Sequence, residues 1–524
     1  MSKETNNPLP APTHLKGILS HLGPGMILAG SIVGSGELIA TTATGAQANF
    51  SFLWLILLGC IVKVFTQIEL ARYAVSSGKT TLVMLNEVPG PKTHGGNFII
   101  WFWFLMFMAT LAQQGGIVGG VGQALAISAP LTEQGKTYNE VLDNKVNLQV
   151  SRNMVAAYED GRLKGTPETI QETKDRVSKL EAIVASQKAD DEIGSNDAVV
   201  WATILTVVAC ILLVWGNFGF IEKFCMVLVC SFSAITIFNL FALQSKPEWA
   251  VTMKEILEGL SFGLPEATEA QKESGKTPLA TALATFGIIG VGASELIAYP
   301  YWCLEKGYGK HVGSYEDNET WLTRAKGWLK VMQFDAWGSM LVYTFCTLAF
   351  YLLGAAILGR TGMVPEGTEM IRTLSVMYEP VFGKSAQTIF LIGAFAVLFS
   401  TFFVAIAAQS RLFVDVINLL GFIKLKDDQQ RFRYIKICNV LFAVISLLFF
   451  IFISKPVLLV LISGVMQALM LPLLGGSVLY FRYNKTDKRL LAGKVWDAFL
   501  WISFICFAVI GINLLIDKIS KALG

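Results

Sequence analysis

Residues 93–132, 198–221, 336–359, 385–410 and 456–481 contain no Asp, Glu, Lys or Arg. Uncharged, largely apolar stretches of this length read as membrane-spanning helices, because about 20 apolar residues are needed to cross a bilayer's hydrocarbon core. The rest of the composition agrees. Hydrophobic residues make up 53% and charged residues 15%, against about 25% charged in soluble domains. This excludes a disordered chain and a secreted disulfide scaffold. A formal net charge of +3 implies no nucleic acid or other polyanionic partner; the partner is the lipid bilayer. The eight cysteines form no CxxC pair and fall in or beside apolar stretches, where they read as small helix residues.

Eleven spans are predicted, at about 22–46, 51–74, 97–129, 197–217, 221–244, 279–303, 328–358, 385–415, 434–454, 456–481 and 496–517. The polar first 21 residues lack an apolar segment ahead of a cleavage site and read as a cytoplasmic tail, not a signal peptide. Lys and Arg cluster at alternate ends of the spans: Lys306, Lys310, Arg324, Lys326 and Lys330 lie between span six and the first turn of span seven, and Arg482, Lys485, Lys488 and Arg489 follow span ten. The opposite loops are nearly free of them, with no charge in 46–51 and only Lys455 in 452–457. The positive-inside rule then puts the N-terminus in the cytoplasm and, after eleven crossings, the C-terminus outside, as expected of a multi-pass cell-membrane protein. Residues 131–196 form a charged extracytoplasmic insertion with 12 acidic and 9 basic residues. Within it, 166–193 reads as a solvent-exposed helix. The insertion has two readings: a tolerated insertion with little apolar surface, or a cap over the outer entrance.

A short string occurs twice. Residues 34–40 read Gly-Ser-Gly-Glu-Leu-Ile-Ala and residues 292–298 read Gly-Ala-Ser-Glu-Leu-Ile-Ala. The copies lie in spans one and six, so they run in opposite directions across the membrane. That is the mark of a five-plus-five inverted repeat. The first repeat covers 22–244 and the second 279–481, with 496–517 an additional helix. Each copy places a carboxylate, Glu37 or Glu295, deep in apolar sequence. An ionised carboxylate at that depth costs at least about 2.5–3.5 kcal/mol on insertion scales, so such residues normally face a cavity and have a task. The small residues before each glutamate let the helices unwind and free carbonyls at the midplane. Two carboxylates and freed carbonyls are hard oxygen ligands suited to a divalent cation. Gln113, Gln114 and Gln467 are candidates to line the path.

The chain also resembles the Nramp divalent-metal transporter family. The resemblance is carried by Gly23-Pro24-Gly25, Gly34-Ser35-Gly36-Glu37 and Gly45-Ala46-Gln47 in span one. Trp54 and the run from Gln67 through Ala71-Arg72 to Gly78-Lys79 continue it, as do Gly219, Glu222, Lys223 and Leu471-Pro472. It covers most of the chain outside 131–196. The resemblance implies an all-α integral membrane protein of the LeuT type with unwound helices one and six, and secondary metal transport. The working residues depart from the family pattern. Gly34 stands where the family has its metal-binding aspartate, and Glu37 where it has an asparagine. Leu296 and Ala298 stand where it has Met and His, and Gly464 at its span-ten glutamine. The family's carbonyl ligands map to Ser31 and Ala293.

The expectation is therefore a divalent-cation transporter working by alternating access. Glu37 and Glu295 are its paired ligands, with Ser31, Ala293 and Gly34 around them. With no Met, His or Cys in 294–302, a hard ion such as magnesium or manganese is favoured. No resident cofactor is called for, and proton coupling stays open. A symporter for a small organic cation or amino acid, and a non-transporting sensor, are the alternatives. Nothing in the sequence has the nucleophile–base constellation, phosphate loop or haem motif of an enzyme.

Overall fold

The computed structural model describes residues 8–187, 194–215, 218–267 and 277–523. Among them, eleven helices are long and apolar enough to cross a membrane. Their order of burial follows from where they pack. Span one (Pro24–Ala48) and span six (Pro278–Glu305) have 94% and 83% of their apolar windows buried. Span four (Asp197–Trp215) and span eleven (Lys494–Ile519) have only 28% and 33%. The first pair is the axis of the bundle. The second pair faces lipid, exposing Val207, Ile211, Trp215, Ile505, Val509 and Ile512.

The two axial helices lose regular winding in different ways. Span six breaks outright. Its first half, Pro278–Ile288, ends at an extended Ile289, followed by Gly290 at φ +55°. Its second half, Ala293–Glu305, starts after an extended Gly292. Gly290 is in the left-handed region that favours glycine. Span one unwinds by widening: after an α-helical Pro24–Ile32, residues Val33–Thr41 form a π-helix. A π-turn carries an extra residue and shifts the carbonyl ladder, a feature that clusters at functional sites. Glycines let the backbones touch. A Cβ on Gly36 would lie 3.0 Å from the Ile288 carbonyl, and one on Gly287 would lie 2.1 Å from the Gly464 carbonyl of span ten (Pro456–Asn484).

The insertion is a folded helical hairpin, not a loosely attached loop. Its helices are Glu133–Glu159 and Pro167–Ser186, capped by Thr132 and Thr166. The charged helix expected over 166–193 is described as far as Ser186; residues 188–193 lie outside the described residues. The expectation of little apolar surface is corrected. Val146, Val150, Ala157, Tyr158 and Leu163 are buried in the continuous hydrophobic core. They were hidden in a charge-rich sequence because one face of each helix is buried and the other solvated. Polar anchors hold the hairpin as well. Asp197 at the start of span four accepts from the amides of Leu131 and Thr132 at 2.7 and 3.2 Å. Arg372, buried in the short helix Met370–Ser375 between spans seven and eight, pairs with Asp143 of the hairpin at 2.6 Å. Arg372→Ala removes this tie, leaving Asn139 Oδ1 without its donor and Asp143 with the long 3.5 Å bond from Gln387. A cost of about 1–3 kcal/mol is expected, read as a lower melting temperature and faster proteolysis of 363–385. A variant as resistant as the parent would show the tie to be dispensable.

The opposite face, where the N-terminal segment lies, is closed by ionic and polar contacts. Asp335 of span seven (Glu319–Gly359) accepts from the amides of Gly23 and Gly25, at 2.8 and 2.6 Å, and so caps the start of span one. Tyr299 of span six donates to the same carboxylate at 2.9 Å. Further pairs join Arg411 to Glu305 at 2.7 Å and Arg431 to Asp415 at 3.0 Å. On the hairpin face, a cavity of about 390 Å³ lies between the ends of spans one, six and ten, lined by Gln47, Thr281, Glu366, Glu369 and Lys455.

Candidate functional site

The break in span six is the centre around which the sequence-predicted residues gather. Glu37 leaves the π-helical stretch of span one and is fully buried. Its Oε1 accepts from the Gly290 amide at 3.2 Å and from the Thr347 hydroxyl of span seven at 2.8 Å. Its Oε2 is buried without a hydrogen-bond partner among the described residues. A buried carboxylate oxygen left unpaired is costly, so it marks a place where a cation or a donor is wanted.

Glu295 sits in the first turn of the second half-helix. A Cβ on Gly292 would meet Glu295 Oε2 at 2.5 Å and Gln467 Oε1 at 2.7 Å. The carboxylate therefore folds back over the positive N-terminal end of its own half-helix, a favourable place for an anion. Its other oxygen accepts from the Ser31 hydroxyl of span one at 3.4 Å. The repeat is thus visible in the contacts. The glutamate of span one reaches the break in span six, and the glutamate of span six reaches back to span one.

The expected paths of the other residues divide. Gln467 accepts from the Ser294 amide at 3.0 Å and donates to Gln113 Oε1 at 3.0 Å. Gln113 donates to Ser35 at 2.8 Å and accepts from Ser463 at 2.6 Å. Spans one, three, six and ten are joined by this one network. Gln114 is buried beside it with its carbonyl oxygen unpartnered among the described residues. Ala293 is the buried first residue of the second half-helix. Gly464 does not take the place of Gln467. It packs on the Ala284 carbonyl, 2.4 Å from its would-be Cβ. Gly34 packs against span eight. Its amide donates to Thr401 of span eight (Ala386–Leu419) at 3.2 Å, and a Cβ there would lie 2.3 Å from that hydroxyl. Gly34 is thus a close-packing position against span eight.

Two residues of span two (Leu53–Ser77) enter the site and were not singled out in the sequence. Lys63 is fully buried, donating to the carbonyls of Phe286 and of Ile289, the latter at 2.8 Å. The signal was available, since a lysine within an apolar span is a functional candidate by its cost alone. Cys60, one turn earlier, lies against the break: its Sγ would be 3.4 Å from a Cβ on Gly290. Periodicity within span six could not reveal a thiol brought in by another helix. Among the described residues, no three His, Cys, Asp or Glu side chains converge as a metal-binding group. Any cation held here would rest on two carboxylates and on neutral oxygens.

A family model described as "Natural resistance-associated macrophage protein-like", or Nramp, matches residues 191–517. This chain belongs to the Nramp-like family. The Divalent metal cation transporter MntH of Caldanaerobacter subterraneus subsp. tengcongensis is 26% identical over 123 residues, 22% of this chain. The match spans about a quarter of that relative, 27% of its length. A solved structure of a mutant manganese transporter from Eremococcus coleocola superposes with a TM-score of 0.61 at 14% identity. It covers 100% of this chain and 92% of its own. The same transporter in complex with an aromatic bis-isothiourea substituted compound gives 0.57 at 13% identity, covering 100% and 95%. At such identities the likeness is one of fold: a LeuT-type, multi-pass membrane protein with a five-plus-five inverted repeat and an added eleventh helix. The Nramp-like match begins just before span four and so includes the whole second repeat.

Proposed function

We propose that this Nramp-like chain is a secondary active transporter of a divalent metal cation, working by alternating access. The carrying observation is that each inverted repeat sends one carboxylate to the break in span six. Glu37 and Glu295 are the paired anionic ligands of this reading. Ser31 and Ala293, with the freed carbonyls of the break, complete an oxygen-rich site. Gln113, Gln114 and Gln467 border it. The family's match to a divalent metal cation transporter supports the same class of cargo. The face sealed by Asp335, Arg411 and Arg431 is cytoplasmic in this reading, as the Lys and Arg distribution requires. The hairpin face is then outside, and its cavity is the entry vestibule. The glycine-rich contacts between spans one, six and ten allow the half-helices to rock with little side-chain rearrangement.

Carboxylate and carbonyl oxygens favour a hard ion such as magnesium or manganese. The Cys60 thiol lies against the break, so it bears on how strongly a soft ion competes. Calorimetric titration of the purified protein, followed by uptake into proteoliposomes, tests the reading. Manganese or magnesium should bind and be accumulated, and any cadmium affinity should fall in Cys60→Ser while manganese affinity stays unchanged. Saturable uptake of an organic cation with no divalent binding would overturn the reading. That second class of cargo is favoured by one observation, the Lys63 ammonium already seated on span-six carbonyls.

A further inference from the structure

Lys63 brings an amine to the break that a two-carboxylate cation site does not need. It is fully buried in the middle of span two and donates to two backbone carbonyls, of Phe286 and Ile289. Those carbonyls lie at the C-terminal end of the first half of span six. A helix C-terminus carries a partial negative charge, and its last carbonyls lack intrahelical partners. This is the place in the break best suited to a cation, and the chain has put its own there. Lys63 and Glu37 meet the same turn of backbone: Lys63 donates to the Ile289 carbonyl, and Glu37 accepts from the amide of Gly290, the next residue. Its ammonium also lies 4.7 Å from the centre of the Phe286 ring, a cation–π contact that favours a positive charge. Span two is held to this position by close packing: a Cβ on Gly59 would lie 2.7 Å from Ile289, and one on Gly290 3.2 Å from the Cys60 backbone.

We infer that Lys63 is a specificity-determining residue, a tethered cation that occupies the C-terminal mouth of the first half of span six and sets the charge left for cargo. Two carboxylates alone would present two negative charges. With a Lys63 ammonium seated in the same break, the net charge is one. Cargo is then held less tightly than two opposed carboxylates would hold it, which favours release into the cytoplasm. A transporter needs such moderation, because an ion bound too tightly cannot leave. Glu37 Oε2 stays unpartnered among the described residues, so the tethered charge reduces the site's field without filling the cargo's own position. This inference rests on the reading of the break as a cation site.

The test is manganese titration of the full-length protein carrying Lys63→Gln or Lys63→Leu. Gln keeps a donor for the two carbonyls, and Leu excludes any new oxygen ligand. Both should bind manganese at least about tenfold tighter than the parent, the effect of removing one unit charge several ångströms away at an effective dielectric of about 20. Uptake should be slower, because release is slower. Lys63→Arg should stay near the parental affinity. Combining Lys63→Gln with Glu37→Gln restores the charge count and should return binding toward the parental value. Unchanged or weaker binding in folded Lys63→Gln and Lys63→Leu would overturn the inference while leaving the cargo reading in place. Failure of both to fold would overturn it too, by making Lys63 a brace for span six. Manganese binding that appears only in the Lys63 variants would uphold the inference and overturn the transport reading of the parent.

Discussion

Glu37→Gln is expected to weaken manganese binding at least about a hundredfold and to abolish uptake. The substitution isolates charge from architecture. Oε1 of Glu37 accepts from Gly290 and Thr347, and an amide oxygen can accept the same two bonds. The break in span six keeps its cap, so folding is preserved. What is lost is one negative charge and the unpartnered Oε2. With Lys63 in place, the site falls from one net negative charge to none. At an effective dielectric of about 20, a dication a few ångströms from that charge loses about 3 kcal/mol or more, and every 1.4 kcal/mol is about tenfold in affinity. Glu295→Gln should weaken binding by a similar factor. It should also loosen the second half-helix, because Glu295 stands over that helix's N-terminus. Calorimetry gives the affinities and thermal unfolding separates the two effects. Binding within threefold of the parent in Glu37→Gln would remove the paired-carboxylate site from consideration.

Glu69→Ala is expected to cost about 3–5 kcal/mol of stability, the usual penalty for breaking a buried ion pair from one side. Glu69 lies in span two, two turns beyond Lys63, and accepts from Arg72 at 3.0 Å, from Arg482 of span ten at 3.1 Å and from Trp496 of span eleven at 3.0 Å. The side chains of Glu69 and Arg482 are each 1% exposed. Without the carboxylate, Arg482 keeps Asp497 and the Ala492 carbonyl, and Arg72 keeps only the Leu490 carbonyl. The network joins the added eleventh helix to both repeats. The loss should therefore appear first there, as faster amide exchange over 488–500 and a lowered melting temperature. Glu69→Gln keeps an acceptor for Trp496 and should cost less. A melting temperature unchanged in Glu69→Ala would show that the eleventh helix is held by apolar packing alone.

The eleven crossings, the inverted repeat and the glutamate in each copy of the repeated string are legible along the chain. Each of these is written in local, one-dimensional chemistry. A bilayer demands about 20 apolar residues per crossing, and a carboxylate inside such a run is too costly to be accidental. Two matching strings separated by an odd number of crossings fix their opposed directions without any knowledge of packing. What surrounds those carboxylates is legible only in three dimensions. Lys63 and Cys60 come to the break from span two, Thr347 from span seven, and Gln113 and Gln467 from spans three and ten. Helix periodicity tells which face of one helix is polar, not which helix that face will meet. For the same reason Gly34 matched the family's aspartate position in order along the chain yet turned toward Thr401 of span eight. The hairpin inverts the lesson. Its composition suggested solvent, but Arg372 of the short helix Met370–Ser375 pairs with Asp143, Asp197 of span four holds the amides of Leu131 and Thr132, and Val146 and Val150 are buried. Composition averages over a helix's two faces, and docking uses only one.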